Sequence, residues 1–347
     1  MLNSFTNKAI LAKARAMYGN RLTEDDYSEM LRKRSVSELA AYLKGTANYA
    51  DALQNINETD VHRGQLEAVL RRDLFNRYTR LCRYENARSS EDFFFYIILN
   101  AEVDQILRCI LLLNAGEPEK FIIDLPGFLI SHATFPLMEL AKVRSYKDLL
   151  EVLHATPYAS ILKKLPPDET GMLDYSRCEI ALRTYYYKHL EDLVKKSFSG
   201  KTRSELLELI RVDIELNNLS TIIRLKVYFH KTPEEILPYL YPFSSKLSGQ
   251  KLHRLVEAQD KDEFLKVFSD TPYGSKVRDR DFLYVEDYTN RISYLYNKQL
   301  LRFSVNAPCV LYTFMVLSRV EIGNIISVIE GIRYDVPTAE IQKLLIL

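Results

Sequence analysis

The sequence is poor in the residues from which active sites are usually built. It has 4 cysteines, 6 histidines and 11 glycines in 347 residues. Cys82, Cys109, Cys178 and Cys309 are too far apart for a metal knuckle or a redox pair, and read as reduced, mostly buried thiols of a cytosolic protein. None of His62, His132, His154, His189, His230 and His253 has a second ligand at metal-binding spacing. No Gly-x-Ser-x-Gly elbow occurs. Ser199-Gly200-Lys201-Thr202 ends like a phosphate-binding loop, but that pattern needs a preceding strand and a glycine where Lys195 stands. Few glycines also leave little material for tight substrate loops. The expectation is a chain with no catalytic residue, no cofactor and no metal.

Excess charge is missing too. The formal net charge is +1, which argues against a nucleic-acid binder. Arg32-Lys33-Arg34 and Arg71-Arg72 lie among acids and read as solvated helix faces. Long apolar runs are absent. Phe93–Leu99 stops at Asn100, and Ala307–Leu317 meets Ser318, Arg319 and Glu321. Both fall short of the roughly 18 to 20 residues of a spanning helix, so no transmembrane segment is expected and both suit buried helices. Strand signals are lacking as well, since Pro126-Gly127 interrupts the apolar stretch Ile122–Ile130.

What the chain does have is repetition, the first thing to look for in a sequence. Ser35–Tyr49, Ser145–Tyr158 and Asp260–Tyr273 share one design. A capping residue (Ser35, Ser145, Asp260) is followed three positions later by an acid (Glu38, Asp148, Glu263), the pattern of a capping box. Apolar pairs follow at helical spacing: Leu39 and Leu43, Leu149 and Leu153, Phe264 and Phe268. Thr-Pro-Tyr, or Thr-Ala-Asn-Tyr in the first copy, then ends the helix. The last apolar positions lie 110 and 115 residues apart.

Around each copy the periodicity predicts long paired helices. They cover Gly64–Tyr84 with Glu91–Leu113, Asp174–Lys196 with a helix opened by Thr202 and Glu205, and Tyr284–Phe303 with Pro308–Gly331. Residues 3 to 34 read as two further helices, the second capped by Thr23. The fold class is therefore all-α, with three related helical units of about 110 residues at 1–116, 117–231 and 232–347. A second signature recurs inside the returning helices: Glu102 with Gln105, Glu215 with Asn218 and Glu321 with Asn324. An acid and an amide three apart share a helix face. Two readings stay open for Glu102, Glu215 and Glu321: satisfied polar positions within a packed bundle, or a ring of acids facing a partner.

Three groups of residues carry a family resemblance. They are Ala9-Ile-Leu-Ala-Lys-Ala-Arg15-Ala-Met17 with Leu22, Tyr27 and Leu31; the repeated S-x-x-E-L…Y-L…T-x-x-Y element; and Val320-Glu-Ile-Gly-Asn324-Ile…Gly331-Ile…Val336-Pro337…Ile341. In this order they resemble the C-type stalk component of bacterial and archaeal V/A-type rotary ATPases, similar to the d-type component of the eukaryotic vacuolar enzyme. The resemblance implies a funnel-shaped, pseudo-threefold helical protein with no activity of its own. It implies a monomer, one copy per complex, held peripherally on the cytoplasmic face of the membrane ion-carrying ring. A socket would receive the central shaft, so that torque passes between shaft and ring, and Glu102, Glu215 and Glu321 are the candidate lining acids. The alternative is a free-standing helical-repeat scaffold for protein partners, whose first and last units would not touch.

Overall fold

The architecture is that of a computed structural model, which describes residues 2–82, 95–274 and 286–347. In chain order its helices are α1 (Leu2–Gly19), α2 (Glu24–Met30), α3 (Val36–Lys44), α4 (Ala50–Leu53), α5 (Arg63–Cys82), α6 (Tyr96–Asn114), α7 (Gly127–Ile130), α8 (Tyr146–Val152) and α9 (Pro157–Leu162). They continue with α10 (Tyr175–Ser197), α11 (Gly200–Val227), α12 (Pro233–Ile236), α13 (Gly249–Glu257), α14 (Lys261–Ser269), α15 (Glu286–Phe303), α16 (Ala307–Arg333) and α17 (Thr338–Leu344). No strand occurs among the described residues, and the fold is all-α. The expected helix ends at Tyr84, Glu91 and Tyr284 lie outside the described residues.

The three repeated elements form helices α3, α8 and α14. Ser35 Oγ, Ser145 Oγ and Asp260 Oδ1 accept from the backbone N–H groups of Glu38, Asp148 and Glu263 at 3.1, 3.2 and 2.8 Å. The reciprocal half of the expected box is displaced by one residue. Glu38, Asp148 and Glu263 accept from the N–H of Arg34, Arg144 and Gln259, the residue before each cap, at 2.9, 3.0 and 2.7 Å. The cap backbone is extended, so the preceding amide points at the first turn. A full capping box does occur at Thr23 and Asp26.

The far end of each helix is closed by the repeated threonine. Thr46, Thr156 and Thr271 donate their hydroxyls to the carbonyls of Leu43, Leu153 and Phe268 at 2.7, 2.8 and 2.6 Å, satisfying orphan acceptors of the last turn. The apolar face is sunk completely. Leu39, Leu43, Leu149 and Leu153 are all 0% exposed, each contributing about 1.5–3 kcal/mol of transfer free energy. The expected box at Thr202 and Glu205 does not form as read. Helix α11 starts earlier, at Gly200, and Glu205 instead accepts from the Asn306 side-chain amide.

The chain packs as two compact units, Met1–Ala87 with Ser204–Ile236 and Phe243–Leu347, and Arg88–Arg203 with Leu237–Pro242. In the second, α6 lies along α10, with α9 beside α10. In the first, α16 is the organising helix, in contact with α1, α3, α5, α15 and α17. Ile322, Ile325, Val328 and Ile329 of α16 share one core with Leu39 and Leu43 of α3 and with Leu66 and Leu70 of α5. Arg15 of α1 donates to the carbonyls of Leu301 and Ser304 at 2.8 and 2.6 Å, closing the C-terminal turn of α15. Helix α17 docks at Gly331, where an added Cβ would stand 2.2 Å from Ile341 Cδ1.

The apolar run read as ending at Leu317 belongs to a longer apolar helix. Beyond Arg319 and Glu321 the helix resumes with Ile322, Ile325, Val328 and Ile329. By length and composition Ala307–Arg333 is long and apolar enough to cross a membrane, but most of that stretch is buried within the protein.

Candidate functional site

Each repeated glutamate accepts hydrogen bonds from two kinds of donor, a turn lying before a repeated helix and the tyrosine that follows that helix. On α6, Glu102 Oε1 accepts from the Thr134 backbone N–H, while Oε2 accepts from Thr134 Oγ1 at 3.1 Å and from the Tyr158 hydroxyl at 2.9 Å. On α11, Glu215 Oε1 accepts from the N–H groups of Ser245 and Leu247 at 2.6 and 3.0 Å. Its Oε2 accepts from the Lys246 N–H at 2.9 Å and the Tyr273 hydroxyl at 2.5 Å. On α16, Glu321 Oε2 accepts from the Leu22 N–H at 2.9 Å. Its Oε1 accepts from Asn48 Nδ2 at 2.5 Å and the Tyr49 hydroxyl at 2.7 Å.

The arrangement is therefore the same three times, with a cyclic shift. The acid of each long helix is bound by the next repeated element, and the last acid is bound by the first element. Sequence reasoning found the glutamates and the caps but missed the tyrosines Tyr49, Tyr158 and Tyr273. Their recurrence with the caps was the available signal, because a buried phenol seeks a partner for its hydroxyl. All three are buried. Burial pushes each phenol well above its ordinary value, and the adjacent carboxylate adds to the shift, so each stays a hydroxyl donor.

Of the three acids, Glu102 and Glu215 are buried. Glu321 is half-buried and borders a cavity of about 160 Å³ shared with Tyr18, Arg21, Tyr294 and Lys298. Its latch is also the only one of the three, among the described residues, braced by a cation. Arg77 donates to Asn48 Oδ1 at 2.5 Å and to the Asn48 carbonyl, pairs with Asp73, and lies 4.9 Å from the centre of the Tyr49 ring. The repeated amides are not used alike. Asn324 holds the C-terminal segment by donating to the Ile346 carbonyl at 2.8 Å and accepting from its N–H at 3.0 Å. Gln105 Oε1 is buried with no hydrogen-bond partner among the described residues.

Burial raises the Glu102 and Glu321 carboxyls above their ordinary value, against the lowering effect of their donors. A carboxyl that binds its proton more tightly in the folded chain contributes stability that is fully present below the unfolded value of about 4.3, and loses it as pH rises through the raised value. The expected result is a fall in urea midpoint across that window, with a slope of at most about 1.4 kcal/mol per pH unit for each group. Glu102→Gln removes its share, because an amide does not titrate, and the fold tolerates it because both hydroxyl partners, Thr134 and Tyr158, can accept from the new NH₂. Urea midpoints measured from about pH 4 to pH 7 check this, and an unchanged slope in Glu102→Gln rules it out.

These features define an all-helical protein whose repeated polar residues bind its own elements together. The sequence model of the ATP synthase (C/AC39) subunit family matches residues 10–344, and the chain belongs to that family. Its relatives include the C subunit of the A-type ATP synthase of Methanosphaera stadtmanae, 27% identical over 77% of this chain and 66% of the relative. Another is the corresponding A-type ATP synthase protein of Archaeoglobus fulgidus, 23% identical over 97% of this chain and 95% of the relative. A third, from a Desulfurococcus species, is 26% identical over 77% of this chain and 69% of the relative.

Proposed function

We propose that the chain is a non-catalytic central-stalk subunit of a V/A-type rotary ATPase. It links the central shaft to the cytoplasmic face of the membrane ion-carrying ring and passes torque between them, as a single peripheral copy per complex. The observation that carries this reading is the family match across residues 10–344, joined by relatives named as C subunits of A-type ATP synthases. The latches support it physically. Torque transmission requires elements that do not shear, and charge-assisted hydrogen bonds hold each repeated helix to a long helix at two points. The packing of α16 on α1, α3 and α5 also favours it over an open scaffold, whose first and last units would stay apart. Three related units at 1–116, 117–231 and 232–347, each contributing one latch acid, are part of the same proposal. Glu321 is the latch acid best placed to meet a partner.

The test is affinity isolation of the full chain from gently solubilised source membranes, with native mass spectrometry of the eluate. One copy together with a shaft protein and an oligomeric ring is the expected result. Recovery free of every ATPase component, from membranes where the ATPase is intact, overturns the reading.

A further inference from the structure

We propose that the groove between α4 and α5 docks an acidic helical segment of a partner protein. Helix α5 carries five arginines, and three are neutralised within the chain. Arg63 pairs with Glu67 at 3.6 Å and with Glu330, Arg71 pairs with Glu67 at 2.7 Å, and Arg77 pairs with Asp73. Arg72 and Arg80 are exposed and have no ion-pair partner among the described residues. Both line a groove of about 460 Å³. The sequence alone had Arg71-Arg72 as one solvated pair, but the fold separates them, turning Arg71 to Glu67 and Arg72 to the groove.

Arg72, Asn76 and Arg80 fall at i, i+4 and i+8, so they form one stripe, with the two cations about 12 Å apart along the helix. Across the groove stand Asp51 and Asn55, the lining includes the apolar Ile56 and Val69, and the second lining acid, Asp73, is neutralised by Arg77. An amphipathic helix whose acids recur at seven or eight residues would place them at the two arginines. A small apolar residue between the acids would lie toward the apolar lining. The acid on the facing wall and the concavity disfavour a flat, uniformly anionic lipid surface. Charge complementarity at such a rim sets specificity and association rate more than bulk affinity. This inference does not rest on the stalk role.

The experiment places a photo-crosslinking benzoylphenylalanine at Asn76 of the full chain in the complex isolated from source membranes, with the adduct mapped by mass spectrometry. The expected adduct lies in a partner polypeptide within a segment carrying two Asp or Glu residues seven or eight apart. Its yield should fall about tenfold in the double variant Arg72→Glu, Arg80→Glu and return when the mapped acids are changed to Lys. Adducts only to lipid or to the chain itself, or a yield indifferent to charge reversal, overturn the proposal. A mapped acidic partner that is not an ATPase component leaves this inference standing, and the stalk reading falls only if the isolated complex holds no ATPase component at all.

Discussion

Glu215→Gln is expected to destabilise the chain by about 1–3 kcal/mol, the cost of leaving a buried donor unsatisfied, although it changes the side-chain volume little. Three of the four donors to Glu215 are the backbone N–H groups of Ser245, Lys246 and Leu247, which cannot become acceptors. Whichever way the glutamine amide is turned, its NH₂ faces an N–H at close range. The same replacement at Glu102 leaves the Thr134 N–H its oxygen and meets two hydroxyls that can reverse roles. At Glu321 the new NH₂ meets either the Leu22 N–H, or Asn48 Nδ2 and the Tyr49 hydroxyl together. The order of cost is therefore Glu215, then Glu321, then Glu102. Urea unfolding of the three variants reads it directly. Tyr273→Phe should cost about 1.5–3 kcal/mol as the loss of one hydrogen bond to a charged group. The double variant with Glu215→Gln should cost less than the sum, since the two share one interaction. Equal cost at all three acids would show that the donors are not the deciding factor.

Gly274→Ala should be the most damaging single methyl group in the third repeated element. A Cβ there would stand 2.5 Å from the Phe268 carbonyl oxygen and 2.5 Å from Ser269 Cα, both backbone atoms of α14. Backbone at the end of a helix already fixed by the Thr271 hydroxyl cannot yield as a side chain does, so the Tyr273 loop must move instead. Tyr273 precedes Gly274, and the movement takes its hydroxyl away from Glu215. Overpacking of this kind costs about 1–3 kcal/mol by itself, and loss of the latch adds to it. Gly323→Ala in α16 is the matched control. Nothing lies within 4 Å of its Cβ position, so a helical alanine there should be neutral or stabilising by up to about 1 kcal/mol. Urea midpoints decide the matter: a Gly274→Ala protein as stable as Gly323→Ala contradicts the packing argument.

Local features of this fold could be read from the residues, and long-range ones could not. Ser35, Ser145 and Asp260 announce helix starts because an N-cap bond joins residues three apart. The apolar pairs announce a buried face because helical spacing repeats within one turn. The one-residue displacement of the acid's bond escaped notice, because spacing does not say which way the preceding amide points. Glu102, Glu215 and Glu321 could be found as a series, but not what binds them. A carboxylate has the same letter beside a loop of its own chain or beside a partner. The deciding contacts join positions 30 to 299 residues apart. Tyr49, Tyr158 and Tyr273 read as the end of a helix motif, and their hydroxyls disclosed a purpose only once a carboxylate was seen within reach.

The cyclic order of the latches also sets a timetable for the nascent chain. Glu102 meets its donors 32 to 56 residues downstream, and Glu215 meets its own within 58. Glu321 must reach back 272 to 299 residues, to Tyr49, Asn48 and Leu22. At about 5–20 residues per second of synthesis, the first repeated helix waits roughly 15–60 s with Leu39 and Leu43 lacking the α16 side of their core. The middle of the chain closes as it is made. The amino-terminal end is a prime client for a holding chaperone until the last long helix is complete.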